Sequence, residues 1–292
     1  MLEFGWIGTG VMGRSMAGRL LDAGHRLRVF TRTRARAEPL LERGAMWVDS
    51  PREAADGVDG VFSIVGYPRD VEAIHLGPEG TLGADRPPRF LIDMTTSDPR
   101  LAIRIHEEAR ARSVEAFDAP VSGGDVGARN GTLSIMVGGE AERYEEIRPW
   151  LEAMGGTIVL QGGPGAGQQT KIVNQILVAA SMVGACEAIR FAETSGLDPS
   201  RVLESVSSGA AGSWTLSNLV PRILAEDFDP GFFVEHFVKD LGIAVETAKD
   251  LGLSLPGLEM AEKLYREVEA AGLGRRGTQA LHLHLRNVAG LH

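Results

Sequence analysis

Leu2-Glu3-Phe4-Gly5-Trp6-Ile7-Gly8-Thr9-Gly10-Val11-Met12-Gly13 runs a short apolar segment straight into three glycines spaced as GxGxxG. Met16, Leu20 and Leu21 then recur at helical spacing. Strand, turn and helix follow in that order, and a second apolar run, Leu27 to Phe30, closes a βαβ unit within about thirty residues. In that context the three glycines serve different ends, since Gly8 permits a tight turn, Gly10 lets a pyrophosphate approach the backbone, and Gly13 lets the helix pack closely. Dinucleotide binding is the expectation, with Val11 and Met12 facing the same ligand. The alternative is a bland structural turn.

The alternation continues outward. Gly60 to Val65, Phe90 to Met94, Val114 to Phe117, Leu133 to Val137 and Thr157 to Leu160 read as strands, with helices such as Pro99 to Arg112 and Glu142 to Met154 between them. Strands alternating with helices predict an α/β Rossmann domain, a doubly wound and mostly parallel sheet, over residues 1–163. The glycine cluster Gly162-Gly163-Pro164-Gly165-Ala166-Gly167 then punctuates the chain, and no strand signal follows it. Gln168 to Thr194 predicts one long helix, about 40 Å at 1.5 Å per residue, apolar on most sides and hence buried. Pro199 to Ser207, Leu216 to Ala225, Val234 to Asp250 and Pro256 to Ala271 complete an all-helical domain over 164–292, built on that inter-domain helix. Such a helix needs more cover than its own short domain supplies, so a homodimer or homotetramer is expected.

The 292 residues suit two domains. Hydrophobic residues at 43% and charged residues at 24% exclude a mainly disordered chain. A net charge of −9 argues against nucleic acid as a partner. Cys186 is the single cysteine, which rules out an intramolecular disulfide; no Cys/His cluster has structural-zinc spacing, His282 and His284 included. Glu3 interrupts any signal-peptide pattern, and the longest apolar stretch, Ile176 to Cys186, falls short of the ~20 residues of a membrane span. The expectation is a cytoplasmic protein with no membrane partner and no metal.

The position about twenty residues beyond the glycines selects the cofactor, because a carboxylate there accepts from a ribose 2′-hydroxyl and repels a 2′-phosphate. No acid stands there. Thr31-Arg32-Thr33-Arg34-Ala35-Arg36 follows the strand instead, and guanidinium groups pair with phosphate bidentately. NADP is therefore preferred, with NAD possible; for Arg34 and Arg36 a solvated arginine face is the alternative. Asp118-Ala119-Pro120-Val121-Ser122-Gly123-Gly124 sets consecutive backbone N–H groups beside a hydroxyl, which suits a carboxylate ligand, or else makes a tight turn between strands. Lys171 and Asn174 share one face of the long helix, either as functional groups or as a solvated face. A buried lysine can hand a proton to a developing alkoxide. Lys239-Asp240, read in isolation, is an exposed ion pair.

Gly8 to Gly13 with Met12, Asp118 to Gly124, Gly131-Thr132-Leu133 before Met136-Val137-Gly138-Gly139, Gly167 with Lys171 and Asn174, and Lys239-Asp240-Leu241 occur in order along nearly the whole chain. Together they resemble the β-hydroxyacid dehydrogenase family. The resemblance implies reversible hydride transfer between NAD(P) and a small carboxylate-bearing hydroxy acid or aldehyde. It implies Lys171 as the catalytic acid/base, Ser122, Gly123 and Gly124 as the substrate-carboxylate loop, and Asn174 as the residue that orients the substrate. Lys239 corresponds to a lysine near both nicotinamide and substrate, Met94-Thr95-Thr96 to the nicotinamide lining, and Val65 to a loop touching the cofactor.

Within the family, Lys171-Ile172-Val173-Asn174-Gln175 and Gly209 to Gly212 are most similar to tartronate semialdehyde (2-hydroxy-3-oxopropionate), glyoxylate and succinic semialdehyde reductases. Many 3-hydroxyisobutyrate dehydrogenases, the alternative, carry Asn where this chain has Gln175. Trp214 either narrows the pocket or fills the core. Two departures stand out: no acid at Thr31, and none in Arg276-Gly277-Thr278-Gln279-Ala280-Leu281, where relatives commonly carry one. 6-Phosphogluconate dehydrogenases resemble a longer chain, and imine reductases usually lack the lysine. A non-catalytic NADP-binding module is the competing reading from another class.

Overall fold

The computed structural model describes residues 1–288; the last four residues assigned to the helical domain, 289–292, lie outside the described residues. The chain forms two compact units, Met1–Lys171 and Ile172–His292. Unit 1 runs β1 (Glu3–Ile7), α1 (Val11–Asp22), β2 (Arg26–Phe30), α2 (Glu38–Leu41), β3 (Met46–Trp47), α3 (Pro51–Ala55), β4 (Gly60–Ser63), α4 (Pro68–Leu76), β5 (Phe90–Asp93) and α5 (Pro99–Arg110). Then come β6 (Glu115–Asp118), β7 (Val121–Ser122), α6 (Gly124–Asn130), β8 (Leu133–Gly138), α7 (Ala141–Leu151) and β9 (Gly155–Gly162).

The sheet order is β3-β2-β1-β4-β5-β6-β8-β7, with β9 on β8. From β3 to β6 every pairing is parallel, the order of a doubly wound nucleotide-binding sheet. β4 and β5 are buried at every residue, as strands covered on both faces must be. β8 reverses direction, lying antiparallel to β6 through Asp118 and Gly138 and to β7 through Val121 and Ile135. β3 and β7 have two residues each, too short to leave an alternating pattern, so the sequence reading did not find them. The core holds Phe4, Trp6, Phe62 and Phe90, with the Trp150 ring of α7 4.9 Å from Phe4 and 5.3 Å from Phe90. Helix starts follow local chemistry: Ser50 caps α3 and Asp98 caps α5, each just before a proline at the first helical position.

α8 (Ala166–Thr194) has 29 residues, about 44 Å at 1.5 Å per residue. It is followed by α9 (Pro199–Ser207), α10 (Trp214–Asn218), α11 (Val220–Leu224), α12 (Val234–Asp250), α13 (Pro256–Val268) and α14 (Leu281–Val288). Unit 2 has its own core, with Met182, Cys186 and Ile189 of α8 against Phe237, Leu241, Tyr265 and Leu281. Burial pushes the Cys186 thiol up to about 12, which keeps it inert.

Three expectations need correction. Leu216 to Ala225 is two helices, because Pro221 restarts the chain at the head of α11. Pro256 to Ala271 ends its regular turns at Val268 and closes through a wider turn in which Gly272 has φ 82°. α8 is not buried all round: Val173, Leu177 and Phe191 are 57%, 64% and 71% exposed in the single chain. By length and composition alone α8 would pass as a membrane span, a test that core helices also pass.

Phe62 is fully buried among Phe4, Trp6 and Trp150. Phe62→Ala is expected to lower unfolding stability by about 3 to 5 kcal/mol, read as a lower urea midpoint at unchanged slope. A loss below ~1 kcal/mol would mean that this cluster is not the organising core.

Candidate active site

The glycine turn leaves β1 where the sheet order switches between β1 and β4. Gly8 has φ 98°, and a Cβ there would collide with the carbonyl oxygen of Ile64, just past β4; a Cβ on Gly13 would collide with that of Gly8. Gly10 meets open space and precedes α1, whose first N–H groups have no side-chain cap. Trp6 Nε1 donates to the Gly8 carbonyl at 2.8 Å and fixes the turn from beneath. The cradle has the room and the donors for a dinucleotide pyrophosphate. Val11 is 48% exposed and Met12 half-buried at its rim.

Thr31 is half-buried directly after β2, with Arg32 and Thr33 exposed beyond it. Arg32 is paired with Asp70 at the start of α4, at 3.3 Å, and its side chain is 79% exposed, so a phosphate would compete only with a weak surface pair. The Arg34 guanidinium lies over the Trp47 ring at 5.3 Å.

At the ends of β4 and β5, buried polar groups form a directed chain. Asp93 Oδ1 accepts from the hydroxyls of Ser63 and Thr95, both at 2.7 Å. Since Ser63 spends its proton on Asp93, its Oγ accepts from His75 Nε2 at 3.0 Å, and His75 Nδ1 accepts from the Thr81 hydroxyl at 2.9 Å. Thr95 Oγ1 in turn accepts from the Val65 N–H at 3.0 Å. Thr96, next to it, is half-buried. Burial lowers His75 to about 3, keeping it neutral, and raises Asp93 to about 6 against the hydrogen bonds of Ser63 and Thr95.

The end of β6 carries the next group. Asp118 accepts from the N–H groups of Gly165 at 2.8 Å and Gln168 at 2.7 Å, at the beginning of α8; burial outweighs these bonds and raises its carboxyl. Lys171, 7% exposed, donates from Nζ to the Val121 carbonyl at 2.9 Å. The amine thus sits at β7, whose next residues are Ser122, half-buried, and Gly123 and Gly124 with φ 128° and 63°. That turn leads from strand to helix, not between strands.

In unit 2, Asn174 Nδ2 donates to Gln175 Oε1 at 2.7 Å, Gln175 Nε2 donates to Asp240 Oδ2 at 2.6 Å, and Lys239 Nζ lies 2.8 Å from Asp240 Oδ1. Lys239-Asp240 is therefore not the exposed pair read from sequence: the side chains are 12% and 2% exposed. Trp214, 65% exposed at the head of α10, is not a core residue. Gln279, 1% exposed and within the acid-free segment Arg276 to Leu281, donates to the carbonyls of Asp227 and Asp229. Sequence reasoning missed Ser63, His75, Asp93, Gln168 and the depth of Asp240. The available signal was a polar residue ending each apolar strand, Ser63 on β4 and Asp93 on β5, where ligands gather in such sheets. Among the described residues no group of three or more His, Cys, Asp or Glu side chains is placed to hold a metal.

Residues 3–163 match the family model described as the NAD binding domain of 6-phosphogluconate dehydrogenase. Residues 165–285 match the one described as NAD-binding of NADP-dependent 3-hydroxyisobutyrate dehydrogenase. The chain is 49% identical over 278 residues to an uncharacterized oxidoreductase of Bacillus subtilis (strain 168), covering 95% of this chain and 96% of that one. It is 37% identical over 271 residues to the 2-hydroxy-3-oxopropionate reductase of Escherichia coli (strain K12), covering 93% and 92%. The solved structure of Mycobacterium tuberculosis 3-hydroxyisobutyrate dehydrogenase with L-serine matches with a TM-score of 0.89 at 30% identity, over 98% of this chain and 99% of that one.

The two buried groups give stability opposite pH slopes. His75, depressed to about 3 in the fold, contributes stability that is present above its unfolded value near 6.5 and is lost as pH falls toward 3. Asp93, raised to about 6, contributes stability that is present below its unfolded value near 4 and is lost as pH rises through 6. Asp93→Asn keeps the Oδ1 acceptor and removes the charge, so relative to wild type it is expected to gain up to about 3 kcal/mol at pH 8, a gain that fades by pH 4. Denaturant melts across that range test this, and a pH-independent difference would rule out a buried ionisation at Asp93.

Proposed function

The chain belongs to the β-hydroxyacid dehydrogenase family and is an NAD(P)-dependent oxidoreductase acting on CH–OH groups; from that premise we propose that it interconverts a short β-hydroxy acid and its semialdehyde, with Lys171 as acid/base. The substrates proposed are 2-hydroxy-3-oxopropionate, glyoxylate or succinic semialdehyde and the corresponding hydroxy acids. The reading is carried by one observation: the Lys171 amine is hydrogen-bonded at 2.9 Å to the residue that precedes Ser122, Gly123 and Gly124. A carboxylate held by the Ser122 hydroxyl and the glycine N–H groups would keep a short substrate's oxygen beside that amine.

When bound, the nicotinamide supplies or takes up the hydride. In reduction, the Lys171 ammonium stabilises the charge growing on the aldehyde oxygen and gives it a proton; in oxidation, neutral Lys171 takes the hydroxyl proton. Gly8, Gly10 and Gly13 with Val11 and Met12 would hold the pyrophosphate end, and Val65, Thr95 and Thr96 the nicotinamide end. Asn174 would orient the substrate and Lys239 would approach both ligands. NADP is the proposed preference, supported by the absence of an acid at Thr31 and by the exposed guanidinium of Arg32, with Thr33 beside it. The exposed apolar face of α8 at Val173, Leu177 and Phe191 supports a homodimer or homotetramer.

Lys171→Ala is expected to lower kcat by ~100 to 10,000-fold while cofactor binding persists, read as loss of nicotinamide absorbance with glyoxylate, succinic semialdehyde and tartronate semialdehyde, and with methylmalonate semialdehyde for the alternative 3-hydroxyisobutyrate reaction. Near-normal turnover in that variant would refute the mechanism, and wild-type silence despite NADPH binding would favour a binding module. Arg32→Asp is expected to move the NADPH-to-NADH ratio of kcat/KM toward NADH by ~10-fold or more, through repulsion of the 2′-phosphate. An unaltered ratio would reduce Arg32 to a surface residue.

A further inference from the structure

Gln168 is 1% exposed in the first turn of α8, and both ends of its side-chain amide and its backbone N–H are hydrogen-bonded. Its side-chain Nε2 donates to the Thr95 carbonyl at 2.7 Å, and its Oε1 accepts from the Ser97 N–H at 2.9 Å. The two groups lie two residues apart on the segment that follows β5, so the amide bridges that backbone with one donor and one acceptor. The orientation is fixed by chemistry, since a carbonyl only accepts and an N–H only donates. The Gln168 backbone N–H meanwhile donates to Asp118 at 2.7 Å. One residue thus fastens the beginning of α8 to the chain after β5 and to the end of β6.

Both things it joins belong to the proposed reaction. Thr95 is held on its other side by Asp93 and accepts from the Val65 N–H, so the carbonyl that Gln168 grips belongs to the nicotinamide-facing segment. Lys171 follows one turn later on α8, with its amine on the Val121 carbonyl. We propose that Gln168 is a positioning residue, setting the turn that carries Lys171 against the Thr95–Ser97 segment. The inference rests on the function proposed above for its catalytic part, and on geometry alone for the clamp.

Gln168→Met keeps the volume and removes both side-chain bonds, leaving the Asp118 cap in place. At saturating substrate and NADPH, kcat is expected to fall ~10 to 100-fold, while the Kd for NADPH, followed by its fluorescence, stays within ~3-fold. The kinetic isotope effect on kcat with C4-deuterated NADPH should rise, because misplacement slows hydride transfer itself. A merely structural role would lower the melting temperature and the active fraction without changing that isotope effect, and that result would overturn the proposal. Should Gln168→Met fail to fold, Gln168→Glu is assayed instead: it retains an acceptor for Ser97 and loses the donor to Thr95, and the same rise in isotope effect is expected. Amide hydrogen exchange separates the two layers. In the variant the Ser97 amide should exchange ~10-fold faster while amides of β1 and β4 keep their protection. If the wild type turns nothing over but Ser97 opens, the clamp stands and the catalytic reading falls; if Ser97 stays closed, the clamp itself is wrong.

Discussion

A buried carboxylate at the end of β6 governs how the rest of the site is assembled. The first N–H groups of any helix lack partners within it, and here the longest helix begins in the interior. Asp118 answers that need from across the chain, taking the N–H groups of Gly165 and Gln168 on separate oxygens. The neighbours give way to it: a Cβ on Gly138 or Gly167 would run into its carboxyl or into the backbone around it. Without the carboxylate, two buried donors would be orphaned, a cost of about 1 to 3 kcal/mol each. With it, α8 starts at one place only, and Lys171 is delivered to β7 as a consequence.

The polar chain at β4 and β5 solves a related problem with the opposite sign. Parallel strands buried on both faces leave no water for a carboxylate, so Asp93 collects three donors on one oxygen, the Thr95 N–H at 3.3 Å being the third. Because each hydroxyl donates once, the direction runs unbroken from Thr81 through His75 and Ser63 to Asp93. A chain of that kind has one arrangement, which rigidifies the loops it reaches. Ser97 Oγ has no protein partner among the described residues and lines a small cavity of ≈ 10 Å³ with Asp93, His106 and Asp118, about enough for one water.

The sequence disclosed whatever repeats or punctuates. β1, α1 and β2 follow from apolar runs around Gly8, Gly10 and Gly13, α9 begins at its capped proline, and α12 spans its apolar periodicity. It withheld what depends on a partner far along the chain. Gln168 is an ordinary helix-forming residue until the segment after β5 lies against it, and Ser63 is one polar residue at the end of an apolar strand. Lys239-Asp240 read as solvated because adjacent opposite charges on an amphipathic helix usually are; their burial is a tertiary fact. The reversal of β8 was also invisible, since strand periodicity carries no direction.

The buried pair in unit 2 also explains why glutamine fits at position 175. Asp240 can only accept, so the end of Gln175 that faces it must be Nε2, and Oε1 must face Asn174. Asn174 then has to turn Nδ2 toward Gln175, which leaves its Oδ1 as the acceptor still on offer. Lys239 lies 2.8 Å from the other oxygen of Asp240, outside hydrogen-bond geometry, so the attraction there is Coulombic. A buried charge pair of this kind is a poor source of net stability, because desolvation offsets most of the attraction. What it does fix is polarity: the carboxylate sets the sense of both amides, and a shorter asparagine at 175 would have to span the same gap to Asp240 with one methylene less.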